Sequence, residues 1–105
     1  LGFLDVKTYE AVGPRGRAPL TDYQYGLLLA LSRVPPGTVV PYFSLTLTIY
    51  GSDNVDLYRR ALDRLTQRVR LVLRQVGYSD DLICTRTGIG LYINPAHTPL
   101  RKVTG

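Results

Sequence analysis

The sequence predicts an α+β fold, a single domain of short N-terminal strands, three helices and a C-terminal β-hairpin. Three observations carry this. The first 20 residues are short apolar pieces broken by Gly13, Pro14, Gly16 and Pro19. Residues 55–76 hold an apolar stripe at helical spacing. Two short β-type runs, 82–87 and 91–94, flank the Gly88-Ile89-Gly90 tripeptide. With 105 residues, 45% apolar and 20% charged, the chain is large enough for one core and ordinary in composition.

The elements follow in order. Residues 3–6 and 9–12 are expected strands, with the Gly-Pro-Arg-Gly turn at 13–16 and a third short strand at 18–20. Thr21 is an N-cap and Asp22 sits where the helix dipole favours negative charge. A helix is predicted over 22–33, with Leu27, Ala30 and Leu31 on one face, stopped by Pro35-Pro36-Gly37. Residues 39–50 are ambiguous. Phe43, Leu45, Leu47 and Ile49 alternate with Ser44, Thr46 and Thr48, which reads as a strand. Tyr42, Leu45 and Ile49 also fit a helix capped by Gly51, and local pattern favours the strand.

The clearest helix is 55–76, with Ser52, Asp53 and Asn54 as capping candidates. Tyr58, Leu62, Leu65, Val69 and Val76 form its stripe, with Ala61, Val72 and Leu73 at the margins. Its length of about 33 Å suggests a break near 72–76. Leu71 falls on the polar side, as a contact residue or an exposed leucine. The glycines at 88 and 90 are expected to supply the positive-φ positions of a tight hairpin. Residues 1–95 make the domain and 96–105 a tail.

Charge is distributed more tellingly than its total. The net +5 lies wholly within residues 57–74, which hold six arginines (59, 60, 64, 68, 70 and 74) against Asp63. The rest of the chain balances seven basic with seven acidic residues. Eleven of the 13 basic residues are arginine, suited to planar recognition of phosphate and base edges.

Strands, helix, helix, basic helix and hairpin together describe a winged helix-turn-helix. The residues resemble one family more closely. Pro19-Leu20-Thr21 leads into a helix with Tyr25, Leu27, Leu28 and Leu31. Then come Pro36-Gly37-Thr38-Val39-Val40, Tyr50-Gly51, the basic helix, and the run 83–93 with its Thr-x-x-Gly-Ile-Gly hairpin. This order is similar to the OmpR/PhoB-type effector domain of bacterial response regulators, over nearly the whole chain. Departures occur at Pro41, Phe43 and Ser44, at Thr66 in place of a basic residue, and at Arg86-Thr87 before the wing glycines. The resemblance implies that 41–50 is the second helix, against its local pattern. It implies sequence-specific binding of double-stranded DNA by a transcription regulator of the cytoplasm and nucleoid. It also implies homodimers on repeated half-sites and contact with RNA polymerase or a regulatory domain.

Duplex binding needs cations along the phosphates and a rigid element presenting donors to base edges. Arg60, Arg64, Gln67 and Arg68 project along one side of the basic helix, with Arg59 beside them. Arginine can fork onto guanine and glutamine onto adenine. Asp63 accepts from a cytosine or orients a neighbouring arginine. Arg86 and Thr87 are the candidates at the wing, where arginine reaches a narrow minor groove. Tyr42 or Tyr58 is a lesser candidate for phosphate, and the other tyrosines read as half-buried core edges.

Other functions find little footing. One cysteine and one histidine exclude an internal disulfide and argue against zinc. Cys84 reads as a buried thiol and His97 as a solvated tail residue. There is no carboxylate pair, Ser-His-Asp set or phosphate loop, so no enzyme, cofactor or metal is expected. No apolar run is long enough to span a membrane and none reads as a leader. The start on Leu1 without any methionine suggests an excised domain or processed product. The rival readings are a winged-helix protein-interaction module using 41–50 and Leu71, and a nonspecific architectural or RNA-binding domain.

Overall fold

The structure, a computed structural model, describes residues 2–97. It contains three helices and two antiparallel three-stranded sheets, the α+β winged helix expected. Strands β1 (Leu4–Asp5), β2 (Glu10–Gly13) and β3 (Gly16–Pro19) form the N-terminal sheet in that order. Ala11 and Ala18 pair across it and both are buried. Between β1 and β2, Tyr9 adopts a left-handed backbone at φ 59°, unusual for a residue with a Cβ. Its amide donates to the Asp5 carbonyl, and its ring stacks on Tyr25 of the following helix at 4.2 Å. Those contacts offset a backbone cost of about 1–2 kcal/mol.

Helix α1 (Asp22–Ser32) begins with a full capping box. Thr21 Oγ1 accepts from the Gln24 amide and Gln24 Oε1 accepts from the Thr21 amide. Leu27, Leu28 and Leu31 are buried, whereas Ala30 only packs at the core's edge.

The ambiguous stretch divides in two. Val40–Pro41 is a short strand, β4, and Tyr42–Tyr50 is helix α2. Helix wins because it buries Tyr42, Leu45 and Thr46 on one side, with Ile49 partly covered. The buried Thr46 hydroxyl donates to the Phe43 carbonyl, so its polarity costs little. Gly51 closes α2 at φ 76°, its amide donating to Leu47 O.

Helix α3 (Val55–Gln75) runs unbroken, so the suggested break near 72–76 does not occur. It ends where the chain turns at Val76 and Gly77. Leu62, Leu65, Thr66, Val69 and Leu73 are buried, so Leu73 lies in the stripe rather than at its margin. After a short 3₁₀ turn at Asp80–Leu82, β5 (Ile83–Arg86) and β6 (Gly90–Ile93) form the hairpin. The sheet order is β4-β6-β5, with Val40 opposite Leu91 and Pro41 opposite Gly90. Gly88 has the expected positive φ, but Gly90 does not. Gly90 is needed for close approach: a Cβ there would meet the Val40 carbonyl oxygen at 2.0 Å.

One core joins all of this. Leu27, Leu28 and Leu31 meet Leu45, Leu62, Val69 and Leu73, closed by Leu4 and Ala11 on one side and Ile83, Leu91 and Ile93 on the other. Tyr78 is buried, and its hydroxyl donates to Val12 O, tying the end of α3 to the N-terminal sheet. Two side chains depart from expectation. Cys84 is only half-buried, its thiol donating to Asp81 O. His97 is not freely solvated: its Nε2 lies 3.0 Å from Asp81 and 2.8 Å from Ser79 Oγ. The remainder of the expected tail, 98–105, lies outside the described residues.

Candidate nucleic-acid interface

The two helices α2 and α3 are joined by a tight turn whose backbone is satisfied locally. Ser52 Oγ accepts from the Asn54 amide, and Asn54 Oδ1 accepts from the Leu57 amide as the N-cap of α3. Because the stripe from Leu62 to Leu73 is anchored in the core, the opposite side of α3 is held outward. Arg60, Asp63, Arg64, Gln67 and Arg68 are all exposed there, with Leu57 and Leu71 exposed among them. Thr66, where the resembled family carries a basic residue, is 4% exposed. Its hydroxyl donates to Leu62 O at 2.8 Å, so it points inward and takes nothing from the outer face.

The six arginines of the segment divide into two groups. Arg59 lies with its guanidinium carbon 3.7 Å from the centroid of the Tyr42 ring and donates to Asp63 at 3.1 Å. Asp63 thus pairs with the arginine one helical turn before it. Tyr42 is buried beneath that guanidinium. Arg70 donates to the Ile83 carbonyl at 2.8 Å and reaches Thr85 Oγ1 at 3.5 Å, while its Nε is buried without a partner. Arg74 forks onto Asp80, with bonds of 2.6 and 2.8 Å from one nitrogen and 3.2 Å from Nε. By contrast, Arg60, Arg64 and Arg68 make no side-chain hydrogen bond or ion pair among the described residues. The outward positive charge is thus narrower than the sequence total suggests.

The hairpin stands beside this face. Arg86 and Thr87 are exposed at its tip, with Ile89 also exposed and its amide donating to Arg86 O. The Tyr42 amide donates to Ile89 O, fixing the hairpin against the start of α2. A groove of about 250 Å³ runs between α3 and the hairpin, with Arg59, Asp63, Gln67 and Arg70 on one wall and Thr85 and Leu91 on the other. So α3 and the hairpin bring Arg59, Asp63 and Gln67 to one groove. Arg64 and Arg68 lie instead on the flank toward α1 and α2, in a second groove with Tyr23 and Tyr50.

Those two tyrosines are the residues that sequence reasoning passed over as core edges. Tyr23 is in fact 57% exposed. The signal available in the sequence was weak: Tyr23 and Tyr50 lie far apart in the chain and meet only through the packing of α1 on α2. Among the described residues no group of histidine, cysteine and acidic side chains is placed to hold a metal. None of the described helices is long and apolar enough to cross a membrane.

No protein-family model matches the chain, and no curated protein sequence does. Solved structures do. The DNA-binding domain of response regulator AdeR, in complex with an intercistronic region, superposes with a TM-score of 0.69 at 18% identity, over 87% of this chain and 91% of that one. The RstA DNA-binding domain of Klebsiella pneumoniae, in complex with the RstA box, gives 0.72 at 18% identity over 88% and 89%. The C-terminal domain of the nisin resistance regulator NsrR, a lantibiotic response regulator, gives 0.69 at 20% identity over 89% and 92%. At such identity the likeness speaks to architecture: the chain has the winged-helix fold of OmpR/PhoB-type response-regulator DNA-binding domains.

Proposed function

We propose that the chain binds double-stranded DNA sequence-specifically, as the effector domain of a bacterial transcription regulator. The observation that carries this is the outward face of α3. Arg60, Arg64 and Arg68 hold their charge unpaired among the described residues, beside Gln67, on a helix locked to the core. A helix of this diameter fits a major groove, where arginine and glutamine can fork onto bases. Arg59, set by Tyr42 and Asp63, adds a pre-oriented guanidinium. Arg86 and Thr87 reach the flanking minor groove from the hairpin. Two neighbours of the same fold were solved with DNA, which supports the reading. The role is binding rather than catalysis, and pairing as homodimers on repeated half-sites follows the same analogy.

The test is selection of bound sequences from random duplexes, followed by affinity measured against salt. An enriched motif with a steep fall of log K on log salt is the expected result. Weak binding without enrichment would leave only an architectural role, and no binding would overturn the proposal.

A second reading has its own observation. Phe43 and Leu47, one turn apart on α2, are 56% and 53% exposed, which favours a protein partner on that face, RNA polymerase or a regulatory domain. Serine at both positions would abolish such a contact and leave DNA affinity unchanged.

A further inference from the structure

The flank of α3 that faces α1 and α2 carries a groove of about 270 Å³. Tyr23 of α1, Tyr50 at the end of α2, and Ala61, Arg64, Leu65 and Arg68 of α3 line it. The Tyr23 and Tyr50 rings lie 5.3 Å apart, and Tyr50 also stacks on Tyr58 at 4.9 Å, which braces it against α3. Burial, and then the neighbouring Tyr23 phenol, push the Tyr50 hydroxyl above its ordinary pKa. It is therefore a protonated donor at any physiological pH. Arg64 and Arg68 are one helical turn apart and so lie along the same wall.

The chemistry of the lining is specific. It offers two phenol hydroxyls and two guanidiniums, with no carboxylate, over an apolar floor of Ala61 and Leu65. Such a set recognises an anion that carries an apolar body. The groove, about 270 Å³, has room for more than a bare phosphate. Its position matters equally, because it adjoins the outward face of the helix that would enter a major groove.

Resting on the DNA-binding reading, we infer that this groove seats one phosphodiester of the strand bordering that major groove. Arg64 and Arg68 bracket the phosphate, Tyr23 and Tyr50 donate to its oxygens, and Ala61 and Leu65 meet the deoxyribose. Arg60 and Gln67, at the centre of the outward face, are then left for the bases. The clamp fixes the register of α3 on the duplex.

The experiment uses the full chain, a duplex enriched by selection, and single neutral methylphosphonates placed along each strand. One position is expected to weaken the wild-type chain by about tenfold or more, in line with a lost charge-assisted bond. Replacing Tyr23→Phe and Tyr50→Phe together should weaken binding by about three- to thirtyfold and blunt the response at that same position. The salt slope should stay unchanged, because a neutral donor releases no counterion. Replacing Arg64→Ala and Arg68→Ala together should instead lower the slope by about 0.9, the share of that one phosphate. If the phenylalanine variants bind as the wild type does, with the same methylphosphonate profile, the groove assignment is wrong while DNA binding stands. If the wild-type chain binds no duplex at all, both readings fall. Because the methylphosphonate arm alters only the DNA, it does not depend on how well a variant folds.

Discussion

Arg70 donates to the carbonyl of Ile83 at 2.8 Å, joining the wall of α3 to the first residue of the hairpin. The bond is partly buried and its donor is charged, which makes it worth more than an exposed pair. Arg70→Ala should cost about 1–3 kcal/mol in urea unfolding, leaving the Ile83 carbonyl to find water. It should also loosen the hairpin, so amide exchange at Cys84 and Tyr92, which face each other across it, should quicken more than exchange within α1. Unchanged stability together with unchanged hairpin exchange would show that the bond does not hold the hairpin in place.

The division of the arginines predicts unequal consequences for DNA binding. Arg60→Ala should weaken binding to a selected duplex by about 1–3 kcal/mol and relax discrimination at one base position. Arg74 is engaged by Asp80 near the far end of the helix. Arg74→Ala should therefore leave affinity and salt slope near their wild-type values, and cost at most about 1 kcal/mol of stability. Equal losses at both positions, read by fluorescence anisotropy, would mean that net charge alone drives association.

How much of this was readable beforehand depends on the range of the interactions. The stripe of α3 repeats over five turns, so its outward residues could be named from spacing, as could the Thr21 cap and the Gly88 turn. Residues 42–50 misled because Phe43, Leu45, Leu47 and Ile49 alternate, yet only Leu45 is fully buried while Phe43 and Leu47 face outward. Tertiary packing outweighs local pattern in so short a helix. Strand β4 is two residues long and exists only because Gly90 lets Val40 approach. The engagement of Arg59, Arg70 and Arg74 depends on Tyr42, Ile83 and Asp80, partners that helical spacing within α3 does not disclose.

Acid should weaken the N-terminal sheet. Arg17 donates to both Asp5 and Glu10, and the Asp5 pKa is lowered to about 2, chiefly by the Arg17 bond and then by the Lys7 amide. A depressed carboxylate contributes stability that is present above its unfolded value near 3.9. That contribution is lost as pH falls from there through about 2. Asp81, lowered mainly by the Ser79 hydroxyl, adds to the same trend. Arg17→Leu should raise the Asp5 pKa toward the ordinary range, though not fully, since the Lys7 and Thr8 amides remain. Carboxyl NMR titration reads this directly, and an Asp5 value unmoved by the substitution would contradict the assignment.

Two glycines test whether the hairpin is held by backbone contact or by turn conformation. At Gly51 a Cβ meets nothing, but φ is 76°, so Gly51→Ala costs only the left-handed penalty of about 1–2 kcal/mol. At Gly90 the backbone is unstrained, but a Cβ would lie 2.0 Å from Val40 O and 2.9 Å from Pro41 Cα. Neither obstacle is the free end of a side chain, so the strands themselves must part. Gly90→Ala should therefore break the pairing of Val40 with Leu91, costing about 1–3 kcal/mol or more. The hairpin would then lose its anchor to α2, because the Tyr42 amide bonds to Ile89 O beside the same glycine. Urea unfolding should rank Gly90→Ala below Gly51→Ala, and DNA affinity should fall only for the former, since only it moves Arg86 relative to α3. The reverse ranking would mean that the turn after α2, rather than the β4–β6 contact, sets the geometry of the proposed interface.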